Sequence, residues 1–173
     1  MLPGTLLFAE RMQANKGRTP RTLKQRAIAF LARREYPRAE LAARLARAGA
    51  SQQEIEPVLD ELERAGYLSD SRYAAALVRQ KRGAYSKRAI AYALREKGVM
   101  STAAGEAMAQ LDSADDLAMA RALWKRRFGI LPVEEREKAR QLRFLLSRGF
   151  SHGVACKVIT GRGGDVADYP DDA

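Results

Sequence analysis

The sequence predicts an all-α chain, an elongated array of three tandem three-helix repeats, and three observations lead there. First, Gly49, Gly98 and Gly149 recur at separations of 49 and 51 residues, and the same residue types return around each. Four positions before them stand Leu45, Leu94 and Leu145; six after stand Ile55, Ala104 and Ala155. Nine after stand Val58, Ala107 and Val158, and ten after stand Leu59, Met108 and Ile159, while Tyr36 and Tyr85 share a further register. Self-similarity at such a period marks stacked helical modules. Second, aromatic residues are only 7% of the chain and alanine supplies much of its apolar share, which favours helix. Third, no stretch alternates apolar and polar residues at period two, so no strand is expected.

Each element has its own signals. Residues 1–19 read as a flexible basic arm. Thr19-Pro20 offers a helix start, and Leu23, Ala27, Phe30 and Leu31 then share one helical face. Pro37 opens a second helix with Leu41 and Leu45, closed by Gly49. Ser51-Gln52-Gln53-Glu54 is a capping box for a third, with Ile55, Val58, Leu59 and Leu62 inward and Gly66 at its end. These make a first repeat over 20–68. The second, 69–112, starts from a cap at Ser69 or Ser71, carries Tyr73 and Leu77, and breaks at Gly83. Ser86 opens its next helix, with Ile90 and Leu94, closed by Gly98. Ser101 begins its last, with Ala104, Ala107, Met108 and Leu111. The third, 113–160, places Leu117, Ala120, Trp124 and Phe128 on one face, then Gly129. A long helix is expected from Pro132, carrying Leu142, Leu145 and Leu146, and a short one from Ser151 with Ala155, Val158 and Ile159. Residues 161–173 read as a disordered acidic tail. A three-helix unit of this size buries little core alone, so neighbours should lean on each other.

The net charge of +10 lies on the body of the chain. Lys plus Arg less Asp plus Glu is +6 over 1–36, −2 over 37–68, +4 over 69–112, +5 over 113–160 and −3 over 161–173. A basic body expects a polyanion, most commonly nucleic acid. The single cysteine, Cys156, rules out an internal disulfide and fits a reducing compartment. The N-terminus lacks the layout of a signal peptide, and no apolar run suffices for a membrane helix, so a cytoplasmic protein with no membrane partner is expected.

Chemistry is poorly provided for. One His and one Cys cannot build a metal site; His152 and Cys156, four apart, are half of one at most. No Ser stands in a nucleophile setting near His152, and no GxxxxGK[ST] segment exists. Gly161, Gly163 and Gly164 lack the strand and helix that would make them a nucleotide fingerprint. The acid pairs Asp115-Asp116 and Glu134-Glu135 sit at helix starts, where the dipole favours them. No catalytic residue, metal or cofactor is expected, and the chain is not read as an enzyme.

Three basic clusters remain. The first is Arg79, Lys81, Arg82, Lys87 and Arg88, in the stretch RQKRGAYSKR, which contains no acid. The second is Lys125, Arg126 and Arg127. The third is Arg136, Lys138, Arg140 and Arg143, where Arg136, Arg140 and Arg143 share a helix face and no acid follows from Lys138 to Thr160. Repulsion along such a stripe points to an anionic partner. Arg47, Arg95, Lys97 and Arg148 end helices, where the dipole explains a cation. Most aromatics fall at core positions, with Tyr36, Tyr85 and Phe150 as candidate exceptions. Contact should therefore be to phosphates, sensitive to salt and poor in sequence specificity.

The run Gly66-Tyr67-Leu68-Ser69-Asp70-Ser71-Arg72-Tyr73-Ala74 resembles the signature of the RecX family, bacterial regulators of the RecA recombinase. The segments YSKRAIAYALREKGVMS and ARQLRFLLSRGFSHGVACKVI resemble that family's second and third modules, so the resemblance covers about residues 20–160. It implies a curved array lying in the groove of the RecA–DNA filament, limiting its growth and damping recombination, ATP turnover and repressor cleavage in repair and the SOS response. The implied partners are the RecA filament and single- and double-stranded DNA, bound weakly without sequence specificity, by a monomer. A competing reading is a helix-turn-helix transcription regulator built on residues 39–70. A wing would need a hairpin after Leu68, where another helix starts instead. The would-be recognition helix also carries Glu54, Glu56, Asp60, Glu61 and Glu63 against Arg64, a poor match to phosphates.

Overall fold

In the computed structural model, the described residues are 22–99, 101–109, 111 and 116–161. Among them lie helices α1 (Leu23–Leu31), α2 (Arg38–Arg47), α3 (Gln52–Arg64), α4 (Asp70–Lys81), α5 (Lys87–Glu96), α6 (Ser101–Ala109), α7 (Asp116–Arg127), α8 (Glu135–Ser147) and α9 (His152–Ile159), and no strand. The expected arm, the Thr19-Pro20 start, Asp115 and the tail beyond Gly161 lie outside the described residues.

The helices close into three groups, α1–α3, α4–α6 and α7–α9, in each of which every helix touches both others. Each group has its own core. Leu45, Leu94 and Leu145, the repeat-equivalent leucines, are fully buried, one per core. Ile55 and Ala155 are fully buried too, while Val58, Ala104 and Met108 pack at the margins. The glycine after each of these leucines has positive φ, 95° at Gly49, 68° at Gly98 and 85° at Gly149, and so stops the middle helix and turns the chain into the third.

The helix starts explain themselves locally. Thr22 caps α1 with a full capping box: its hydroxyl accepts from Gln25 N (3.2 Å) and its amide donates to Gln25 Oε1 (3.0 Å). The helix therefore begins three residues after the expected Thr19. At α3 the amide and hydroxyl of Ser51 both donate to Glu54 Oε2 at 2.8 Å. Helix α3 runs through Pro57, whose missing N–H it tolerates while burying Ile55, Leu59 and Leu62. Ser71 is inside α4, which leaves Ser69 as the residue before it. Pro132 does not start α8: Glu134 is its N-cap, and Pro132 is buried in the preceding loop.

That loop is held from below. Gln141 is 2% exposed and accepts from Trp124 Nε1 (2.6 Å), while its amide donates to the Ile130 carbonyl (3.2 Å) and to Glu137 Oε1 (3.1 Å). A buried amide so occupied leaves no polar atom stranded and ties α7, α8 and residue 130 together.

The chain divides into two compact units, Met1–Ser69 and Asp70–Ala173. The first holds one three-helix group and the second holds two. Within the first, Arg38 on α2 reaches three acids of α3: Glu56 (2.5 Å), Asp60 (2.7 Å) and Glu63 (2.8 Å). Lys24 on α1 reaches a fourth, Glu61, at 2.6 Å. Burial works against the charge of Arg38, but the bonds to Glu56 and Asp60 and the field of Glu63 outweigh it and raise its pKa above the usual arginine value.

Candidate nucleic-acid interface

The second unit brings the basic residues together, and its seam begins at Ser86. Fully buried, Ser86 is the N-cap of α5, where its Oγ accepts from Ala89 N at 3.2 Å. The same hydroxyl donates to the Gly149 carbonyl at 2.7 Å, and the Ser86 amide donates to the Arg148 carbonyl at 2.9 Å. The α4–α5 turn is thus bonded to the α8–α9 turn, one three-helix group to the next. Contact is close enough that a Cβ on Gly149 would stand 2.4 Å from Ala89 Cβ and 2.8 Å from Ser86 Oγ. A second tie crosses nearby, from Arg126 Nη2 to the Gly83 carbonyl at 3.3 Å.

The first cluster flanks this seam on the side of the second helical group. Arg79 and Lys81 end α4, with Arg79 exposed and Lys81 half-buried over the Tyr85 ring at 4.2 Å. Arg82 is exposed in the turn. Lys87, half-buried, and Arg88, exposed, occupy the first turn of α5, which has no acid. These positions differ electrostatically. Cations in the last turn of α4 complement the helix dipole, whereas Lys87 and Arg88 sit at its positive end and oppose it.

The second cluster, Lys125, Arg126 and Arg127, is exposed on the last turn of α7. It meets the first through Arg126 and the Gly83 carbonyl. It meets the third around Phe128, whose ring lies under both Arg127 (6.0 Å) and Arg140 (5.4 Å). In the third cluster the expected unrelieved stripe is corrected. Lys138 pairs with Glu135 at 2.7 Å and Arg140 with Glu137 at 3.3 Å, so acids one turn earlier relieve two of the four. Arg136 and Arg143 are exposed and have no ion pair among the described residues.

The aromatic expectation is also corrected. Tyr36 (5% exposed) and Phe150 (3%) are core residues, and Tyr85 is half-buried between cations; among the described residues the open tyrosines are Tyr67 and Tyr92. Tyr67 follows Gly66, which has φ 75°, and precedes Leu68, buried in the first core; Asp70 and Arg72 open α4, and Tyr73 is buried in the second core.

His152 and Cys156 do approach, Sγ to Nδ1 at 3.5 Å, but no three His, Cys, Asp or Glu side chains gather among the described residues. No helix among them is long and apolar enough to cross a membrane. In the first unit, four of the acids on α3 are engaged by Arg38 and Lys24, which makes them cross-braces of their own bundle.

Comparison with known proteins follows the same three groups. Residues 24–62, 69–108 and 114–159 match, in order, the first, second and third three-helix domains of RecX. The chain belongs to the RecX family. It is 40% identical over 144 residues to the regulatory protein RecX of Ralstonia nicotianae, covering 83% of this chain and 90% of that one. To the regulatory protein RecX of Chromobacterium violaceum it is 42% identical over 151 residues, covering 87% and 97%. In fold it is similar to the crystal structure of RecX from Lactobacillus salivarius, with a TM-score of 0.61 at 18% identity over 80% of this chain and 93% of that one. In RecX terms, the seam at Ser86 and Gly149 joins the second and third domains, and all three basic clusters belong to those two.

Proposed function

We propose that this chain is a non-enzymatic cytoplasmic regulator of homologous recombination that binds the RecA–DNA filament and restrains its recombinase, ATPase and coprotease activities. The observation that carries this reading is the match to all three RecX domains, in order, over most of the chain. The geometry supports it through the second unit, where cations of two bundles adjoin across a bonded seam. Lys87 and Arg88 oppose their own helix dipole, and Arg136 and Arg143 have no ion pair among the described residues. Such positions cost folding free energy and are relieved by an anionic partner. In this reading the partners are RecA itself and DNA of either strandedness, held weakly through phosphates by a monomer.

The operator-reading alternative fits less well. Helix α3 would have to enter a groove with its acid-rich face engaged in ion pairs to α1 and α2. The test is RecA's ATP turnover on single-stranded DNA with increasing amounts of this protein. Inhibition that saturates supports the reading; undiminished turnover at saturating protein rejects it.

A further inference from the structure

The seam between the second and third helical groups encloses a cleft of about 380 Å³ lined by Ala84, Leu123, Arg126, Arg127, Phe144 and Arg148. No acid lines it. Arg148, which the sequence explains as a helix-end cation, has its guanidinium over two rings, Tyr85 at 4.8 Å and Phe144 at 5.3 Å. Its Nε is buried with no hydrogen-bond partner, and no carboxylate pairs with it among the described residues. The rings offer their faces to the cation but no acceptor to its N–H groups. Arg126 spends one bond on the Gly83 carbonyl, a neutral acceptor, and Arg127 has no ion pair among the described residues. Three guanidiniums on one cleft, with no anion in its wall, form an incomplete electrostatic set. The neighbouring cleft of about 430 Å³ is different: Glu134 and Glu137 stand in its wall beside Arg127 and Arg140.

We propose that the acid-free cleft is a phosphate site, in which Arg126, Arg127 and Arg148 hold a backbone phosphodiester of a nucleic-acid strand. This deepens the filament-binding reading and rests on it for the source of the strand. Guanidinium forks match the paired non-bridging oxygens of a phosphodiester. The ties at Ser86 and Gly149 keep the two walls in place before the strand arrives, which reduces the ordering cost of binding.

The test uses the full chain and a short fluorescent oligothymidylate, with anisotropy measured across a range of KCl. Each phosphate contact on a single strand adds about 0.7 to the slope of log K against log salt. R126Q/R127Q and R148Q should each reduce the slope by up to about 0.7, the share of that one phosphate. The double variant gives up the Arg126 tie to Gly83 but keeps both Ser86 bonds across the seam, so it should fold even if R148Q loosens the joint; circular dichroism melting checks both. A methylphosphonate strand, with the same bases and no backbone charge, should not distinguish wild type from the variants. Wild-type affinity and slope in both variants would overturn the cleft while leaving RecA inhibition to stand by its own assay. Oligonucleotide binding lost in the variants, with RecA turnover untouched by wild type, would keep the cleft and reject the filament reading. Failure of wild type to bind the strand overturns the cleft. Loss of polyglutamate binding with oligonucleotide binding intact would reassign it to an acidic protein segment.

Discussion

At the scale of single residues, equivalent positions in the repeat do unequal work. Gly49 and Gly149 both have φ near 90°, but open space surrounds the missing Cβ of Gly49, whereas that of Gly149 is filled by Ala89 and Ser86. G49A should therefore cost only the left-handed penalty of about 1–2 kcal/mol. G149A should cost more and also part the α4–α5 turn from the α8–α9 turn, read by denaturant unfolding and by amide exchange at Ser86. Equal losses would contradict the close approach. Gln141 invites a second test. Gln141→Leu keeps the bulk but strands the Trp124 N–H, an expected loss of about 1–3 kcal/mol, with a change in Trp124 fluorescence as the local signature.

These residues were unevenly legible. Leu45, Leu94 and Leu145 stood out because apolar spacing carries their role. Ser86 was legible as a cap, since capping needs only local sequence; its second bond, to the Gly149 carbonyl 63 positions away, is a tertiary fact. Gln141 left a faint signal, a polar residue one helical turn before the buried Leu145. Arg38 had a better one, a lone arginine entering the helix that precedes an acid-rich helix.

At the scale of the helices, end chemistry makes predictions of opposite sign. The Glu54 carboxyl is held below the usual carboxylate range, first by the Ser51 amide and then by its hydroxyl. A folded-state pKa below the unfolded one contributes stability above the unfolded value and loses it as pH falls through the folded value. E54Q should thus be less stable than wild type at neutral pH, and the gap should close through the acid range; a gap constant from neutral to acid pH would rule this out. At α5 the sign reverses. K87Q/R88Q removes two cations from the positive helix end, so stability should rise by about 0.3–1 kcal/mol per charge while filament binding falls. Thermal unfolding and co-sedimentation with RecA filaments read the two halves. A variant weaker in both would mean these side chains serve packing. The start of α8 shows where helix-end reasoning failed: Pro132 suits a first turn, but the loop keeps it for burial and the helix waits for Glu134.

For the molecule as a whole, charge is handled differently in the two units. The first unit engages four acids of α3 in internal ion pairs, and the second gathers cations from two bundles. Replacing Arg79, Lys81, Arg82, Lys87 and Arg88 with Gln should leave helicity intact and weaken filament binding, with a shallower salt dependence. Undiminished binding by the folded variant would remove this cluster from the interface. The three clusters were legible in the sequence as counts of charge, whereas their relief was not: Glu135 and Glu137 answer Lys138 and Arg140 through helical geometry, which a search for acids only beyond Lys138 misses.

The double duty of Ser86 also bears on how such a chain could have grown by copying itself. The residue in the same register of the first bundle is Pro37, the N-cap of α2. Proline has neither an amide hydrogen nor a hydroxyl, so it can grip no incoming carbonyl. A chain reassembled with its third segment following its first would lack both bonds of that joint, and so the running order of the segments is written into a single side-chain choice.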